Sequence, residues 1–256
     1  MRFPRPQSHF PSFDVNDPDT GAPLRSADSL FDVAVDPTTG TLYAVWQDAR
    51  FSGFAHESVA FSMSKDGGFN WSEPVQINRT PSDLRNANQQ AFVPSIAVNR
   101  KGMLAITYYD FRFNGAEPEA LTDHWAITCR PKAKRDCSDP EDWSELRLTP
   151  ESFDIRKAPN AGGSFLGDYD GLAAGNNSVI AAFSVSSDTD PANLIYGGFK
   201  RASSRRTNMD PRRIKSSNGS STDRQISKNV VEGTSGVPNA FAALGFDTMH
   251  FARSGH

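Results

Sequence analysis

The stretch Ser64-Lys65-Asp66-Gly67-Gly68-Phe69-Asn70-Trp71 decides how the chain is read. It stands between two runs of strand character, Glu57 to Ser64 and Trp71 to Asn78. Glycines at the tip supply backbone angles closed to other residues. The Asp66 carboxylate can accept N–H groups across the turn, and Trp71 can cover the hairpin base. Ser64, Asp66, Gly68 and Trp71 are therefore expected to hold the fold together rather than to catalyse.

A repeated unit surrounds this hairpin. Phe31 to Val35 alternates as a strand does, Asp36-Pro37-Thr38-Thr39-Gly40 makes a turn, and Thr41 to Trp46 makes a second strand. The same order returns in Ser95 to Asn99, Arg100-Lys101-Gly102 and Leu104 to Tyr109. It comes again in Leu172 to Ala174, Gly175-Asn176-Asn177 and Val179 to Phe183. A further hairpin follows each copy: Glu57 to Asn78 with the glycine turn, His124 to Arg130 with Trp143 to Leu148, then Leu194 to Phe199. Between the second pair, Cys137 to Trp143 keeps a Ser, acids and a Trp but no glycine, a decayed copy of the first turn. Such a pattern predicts an all-β chain of propeller type with about three four-stranded antiparallel blades. Residues 1–24 read as an irregular lead-in, 25–200 as the repeated part and 201–256 as a basic, mostly disordered tail.

Charge and composition narrow the function classes. A net charge of -3 offers no overall attraction to nucleic acid or anionic membranes. Lys200 to Lys228 holds nine Lys or Arg against two Asp, but no aromatic residues interleave for base stacking, so solvated tail is expected over a nucleic-acid arm. No run has the length of a membrane-spanning helix, and Met1 to Phe10 lacks the apolar centre of a signal peptide. The five histidines show no ligand spacing, and each is expected to stand alone and exposed. Phosphate-binding loops and nucleophile elbows are absent, so neither metal nor cofactor is expected. Cys129 and Cys137 fit a short-loop disulfide or two reduced thiols, geometry being decisive. Four Asn-x-Ser/Thr sequons, at Asn70, Asn78, Asn176 and Asn218, add slight support for export.

The octapeptide Ser64 to Trp71 resembles the Asp-box, the bacterial neuraminidase repeat of sialidase-like β-propellers. Leu42 to Arg50, Thr107 to Arg112, Ser152-Phe153-Asp154 and Phe165 to Leu172 resemble the same secreted glycosidases. The resemblance implies a glycoside hydrolase acting on terminal sugars of glycoconjugates, with a carbohydrate partner and an extracellular location. In that family the Asp-box lies on the face opposite the substrate. Six blades are common there and about three can be drawn here, so a partial member is expected. The family's sialidases hold the substrate carboxylate with three arginines and use a Glu-activated Tyr as nucleophile and an Asp as acid/base. Its Phe/Tyr-Arg-Ile-Pro motif is missing; Met1-Arg2-Phe3-Pro4 is only loosely similar and receives no role. The alternatives are a non-catalytic carbohydrate- or protein-binding propeller and an inactive fragment.

Strand order places candidates on the edge opposite the Asp-box: Arg25, Asp48, Arg50, Asp110 and Arg112 for substrate binding, and Asp168, Tyr169 and Asp170 for catalysis. Asp48/Arg50 and Asp110/Arg112 recur at equivalent positions, which suits salt bridges between repeats as well as a sugar site. Asp168-Tyr169-Asp170 has no repeat counterpart. Its carboxylates suit acid/base work, a cation beside Gly167 and Gly171, or bracing of the loop.

Overall fold

The computed structural model describes residues 15–26, 30–115, 118–132 and 135–199, with side chains to Leu194. The expected tail, Met1-Arg2-Phe3-Pro4 and most of the lead-in lie outside the described residues. Within them the chain is all-β: three antiparallel sheets, short 3-10 turns and no α-helix. Sheet I runs in the order β1 (Phe31–Val35), β2 (Leu42–Asp48), β3 (Ser58–Ser64) and β4 (Val75–Gln76). Sheet II follows with β5 (Ala91–Val98), β6 (Leu104–Asp110), β7 (Leu121–Cys129) and β8 (Ser144–Arg147), while β9 (Phe153–Asp154) pairs with β7. Sheet III comprises β10 (Gly171–Ala174), β11 (Val179–Val185) and β12 (Asn193–Phe199). The sheets stack in sequence and do not close into a ring.

The first hairpins of sheets I and II are built by the same local device. Asp36 Oδ1 accepts from Thr38 N at 2.8 Å, and Gly40 takes φ 72°. In sheet II, Asn99 Oδ1 accepts from Lys101 N at 2.9 Å and Met103 N at 3.0 Å, and Gly102 takes φ 70°. Asx side chains pin the turn, and the positive φ that follows requires glycine.

Two cores result, one on each face of sheet II. Tyr43, Val45, Phe61 and Met63 of sheet I meet Ile96, Leu104, Ile106, Tyr108 and Ile127. On the other face Ala97, Ala105, Tyr109 and Ala126 meet Val179, Ala181 and Phe183 of sheet III. Tyr108 and Tyr109, adjacent on β6, point to opposite faces of the strand, and both are fully buried because sheet II has a neighbour on each side.

Three local expectations are corrected. The strand read as Trp71 to Asn78 pairs only at β4, since Ser72 Oγ and its carbonyl take over the ladder through Ser62 and Met63. The strand read from Ser95 begins at Ala91, and a bulge with Val93 at φ 49° ahead of Pro94 breaks its register. His124, expected to be exposed, is fully buried between Tyr109 and Phe183, with ring centroids 4.2 Å from each. The cysteines form the Cys129–Cys137 disulfide, their Cα atoms 6.1 Å apart.

Candidate functional site

The lower edge carries the Ser64 to Trp71 turn. Ser64 Oγ donates to Asp66 Oδ1 at 2.8 Å and accepts from Gly68 N at 2.9 Å. Asn70 brings its backbone N–H to Asp66 Oδ1 at 2.9 Å and its side-chain amide to Oδ2 at 2.6 Å. The Trp71 indole closes the turn on Gly68 O at 3.2 Å. These bonds, the backbone one from Asn70 first, hold the Asp66 carboxyl below the usual carboxylate range. The polar side-chain groups of Ser64, Asp66 and Asn70 thus bond to one another and to the backbone of their own turn.

On the opposite, upper edge lie the ends of β2 and β6, the loops before β5 and β10, and residues 15–26. That N-terminal segment is anchored at several points. Val15 is fully buried, Asn16 N donates to Gln90 Oε1 at 2.7 Å, and Asp17 accepts from Arg156 at 2.5 and 2.8 Å. Burial raises the Asp17 carboxyl, but Arg156 and the Thr20 and Asp19 amides outweigh it and hold it far below its ordinary value. Gly163 lets the segment approach: a Cβ there would sit 2.7 Å from Pro23 O and 2.9 Å from Arg25 N. Only glycine accepts both that contact and φ 146°.

Arg25 is positioned by this crossing. Its Nε and Nη2 reach Asp168 Oδ1 and Oδ2 at 3.2 and 2.8 Å, and its guanidinium lies 4.4 Å from the Phe165 ring centroid. Asp168, Tyr169 and Asp170, consecutive in sequence, meet three environments. The Arg25–Asp168 pair is half-open, with side-chain exposures of 45% and 31%. Tyr169 is exposed. Asp170 is buried, its Oδ1 accepting from the Tyr109 hydroxyl at 3.3 Å and its Oδ2 lying 3.6 Å from His124 Nε2. Burial raises the Asp170 carboxyl well above its usual value and lowers the His124 imidazole well below its own. Burial thus disfavours the charged form of both groups inside the junction of sheets II and III.

The two Asp-x-Arg repeats are not equivalent in exposure. Asp48 is buried and takes Trp46 Nε1 at 2.8 Å and Arg50 Nε at 2.7 Å, leaving the Arg50 side chain 41% exposed. Asp110 is fully buried and accepts from Thr80, Trp125 and Arg112 at 2.7, 2.9 and 2.7 Å. Burial pushes its carboxyl up to about 6 against the pull of Arg112, so it stays ionised at neutral pH. Arg112 spans onward to Glu145 at 2.8 and 2.9 Å and lies 3.7 Å from the Trp125 ring centroid.

Glu145 supplies a feature that sequence reasoning missed. The Tyr108 hydroxyl donates to Glu145 Oε1 at 2.5 Å and accepts from Arg79 N at 3.0 Å and Arg112 Nη2 at 3.2 Å. A tyrosine–glutamate contact beside an arginine is the chemistry of an activated aryl oxygen, but here the Tyr108 hydroxyl is fully buried between sheets I and II while Glu145 is partly exposed. Burial, then the Glu145 charge, raise the Tyr108 hydroxyl well above its ordinary value, which keeps it protonated. One guanidinium, that of Arg112, reaches this pair among the described residues. Only the pairing Ile127↔Glu145 brings Glu145 to Tyr108, so no local signal announced it.

No family model matches the chain, and no curated protein matches it. Solved structures do show likeness over part of it. A Hadza microbial sialidase is 12% identical, with 65% of this chain and 34% of that one covered and a TM-score of 0.41. An alpha-L-arabinofuranosidase from Lactobacillus brevis is 15% identical, with 69% and 50% covered and a TM-score of 0.38. An endo-arabinase from Bacteroides thetaiotaomicron is 12% identical, with 66% and 55% covered and a TM-score of 0.35. The chain spans between a third and about half of the length of these structures.

Proposed function

We propose that the chain is part of a sialidase-like β-propeller glycoside hydrolase that acts on terminal sugars of glycoconjugates. The observation that carries this is the half-open Arg25–Asp168 pair beside exposed Tyr169, on the edge opposite the Ser64 to Trp71 turn. Guanidinium and carboxylate pair through two parallel bonds, so an anionic sugar competes with Asp168 for Arg25. Once displaced from Arg25, the Asp168 carboxylate can take up a proton from water and, as the carboxylic acid, give it to a glycosidic oxygen. Tyr169 presents its ring and hydroxyl to the same sugar, and Arg50, oriented by Asp48, adds a second open guanidinium. We assign Asp170 to holding the loop from beneath, and Asp110 and Arg112 to bracing sheets I and II. The buried Cys129–Cys137 disulfide supports export to an oxidising compartment.

A second reading, a propeller that binds carbohydrate without cleaving it, is favoured by one observation: Tyr108, the tyrosine bonded to Glu145, is fully buried. Fluorogenic sialosides and other glycosides, offered to the wild type and to Asp168→Asn, separate the two. Turnover that disappears in the variant while its fold is kept supports hydrolysis. Saturable glycan binding without turnover, lost in Arg25→Ala, selects the second reading. A folded chain that neither turns over nor binds any glycan overturns both.

A further inference from the structure

Sheet I turns one face away from the rest of the described chain. By the β1–β2 register this face carries Val33, Val35, Leu42 and Trp46 around a buried Ala44. Val33 is 41% exposed and Val35 52%. Both are β-branched apolar residues on a strand, the kind that a sheet normally buries.

The two internal junctions show what covers such a face. Pairing places Val33 opposite Ala44 on β2 and Ile96 opposite Ile106 on β6, the same position of the repeat. Ile96 is only 5% exposed, because sheet I lies over it through Tyr43, Val45, Phe61 and partly buried Ala34. One sheet further, Leu172 holds that position opposite Ala181, and Ala97 and Ala105 of sheet II lie over it. Polar contacts repeat as well. Asp32 Oδ2 accepts from Ile96 N at 2.9 Å across the first junction, and Ser95, its counterpart, donates to Asp170 O at 3.2 Å across the second. Each junction thus joins an Ile96-type face to an Ala34/Tyr43-type face.

Sheet III leaves the second kind of face open at the other end of the stack. Ala173, Ile180, Ala182 and Leu194 share it, Leu194 being 56% exposed. The described chain therefore ends in the two halves of its own repeated junction. We propose that two copies of this chain associate head to tail, sheet III of one covering the Val33/Val35 face of sheet I of the other. The contact is heterologous, so a pair closes on itself when the rotation permits and extends when it does not. It stands independently of the glycosidase reading.

Light scattering on size-separated protein tests this over a roughly hundred-fold range of concentration, wide enough for mass action to show. The wild type is expected at twice the monomer mass or above, and Val33→Asp and Leu194→Asp should each lower that mass. A mixture of the two variants should regain dimer, because each copy keeps the face that the other has lost. Circular dichroism and urea midpoints check folding, and Val35→Thr provides a milder change at the same face. A folded wild type that stays monomeric throughout overturns the proposal. So does dissociation by Val33→Asp while Leu194→Asp leaves the mass unchanged, since that pattern belongs to a contact between two copies of β1.

Discussion

Ser64 and Cys129 hold the same register position, one opposite Leu42 and the other opposite Leu104, yet the turns they start are secured by different chemistry. In sheet I the Ser64 hydroxyl and the Asp66 carboxylate draw the chain together through hydrogen bonds, and two glycines, Gly67 at φ 77° and Gly68 at φ 90°, make the bend. In sheet II no glycine is available. Cys129 is bonded to Cys137, which itself takes φ 70°, a conformation that costs a residue with a Cβ. Both turns finish alike, Trp71 Nε1 on Gly68 O at 3.2 Å and Trp143 Nε1 on Cys137 O at 3.0 Å. The tryptophan cap is the invariant of the two turns, and the closure in front of it is interchangeable.

The largest way to break this equivalence is to open the covalent closure. Cys129→Ser with Cys137→Ser is expected to cost about 2–4 kcal/mol in urea unfolding, the usual worth of a native disulfide. Reductant should lower the midpoint of the wild type and leave that of the double variant unchanged. Removing the hydroxyl from the other turn should cost less: Ser64→Ala forfeits hydrogen bonds to Asp66 and Gly68, about 1–2 kcal/mol by the same measurement.

Acid sharpens the contrast. The Asp66 carboxyl titrates below its unfolded value of 3.8, so its contribution is present above that pH and is lost as pH falls through the lower folded value. Hydrogen exchange at the Gly68 and Asn70 amides should accelerate there, while the disulfide of sheet II does not titrate. Asp136 introduces one acid-sensitive element beside that disulfide. The Ser138 hydroxyl first, then Lys65, lower its carboxyl to about 2, and its 3.0 Å pair with Lys65 ties the two turns together. That tie is the smallest effect expected. Both partners are well exposed, so Lys65→Ala should change stability by less than about 0.5 kcal/mol, and a loss as large as that of Ser64→Ala would show that the two turns are not closed separately.

Much of the fold was legible in the chain. Phe31 to Val35 alternates, Leu104 to Tyr109 and Val179 to Phe183 are apolar runs of strand length, and the turns between paired strands carry Asx, Pro or Gly. Those signals act within a few residues. The cysteine pairing was open because it needed a Cα–Cα distance, and the bulge at Val93 because Pro94 masks the strand around it. Of the candidate site, Arg25 and Asp168 were each singled out, but their pairing was not. They are 143 residues apart and meet only because segment 15–26 lies across Gly163.

Sequence by itself determined the repeated hairpins, the two tryptophan-capped turns and the set of acids and arginines carried at one edge, since each rests on a local pattern of sterics and backbone bonding. Tertiary structure alone decided which of those groups face water. Asp48 and Asp168 both stand beside an arginine at the upper edge, and one is buried while the other is half-open. Tyr108, Glu145, Asp170 and His124 took their states from the sheet stacked against them. Burial by a neighbouring sheet is a property of stacking, and the desolvation it imposes moves proton affinities that no residue carries in its own sequence.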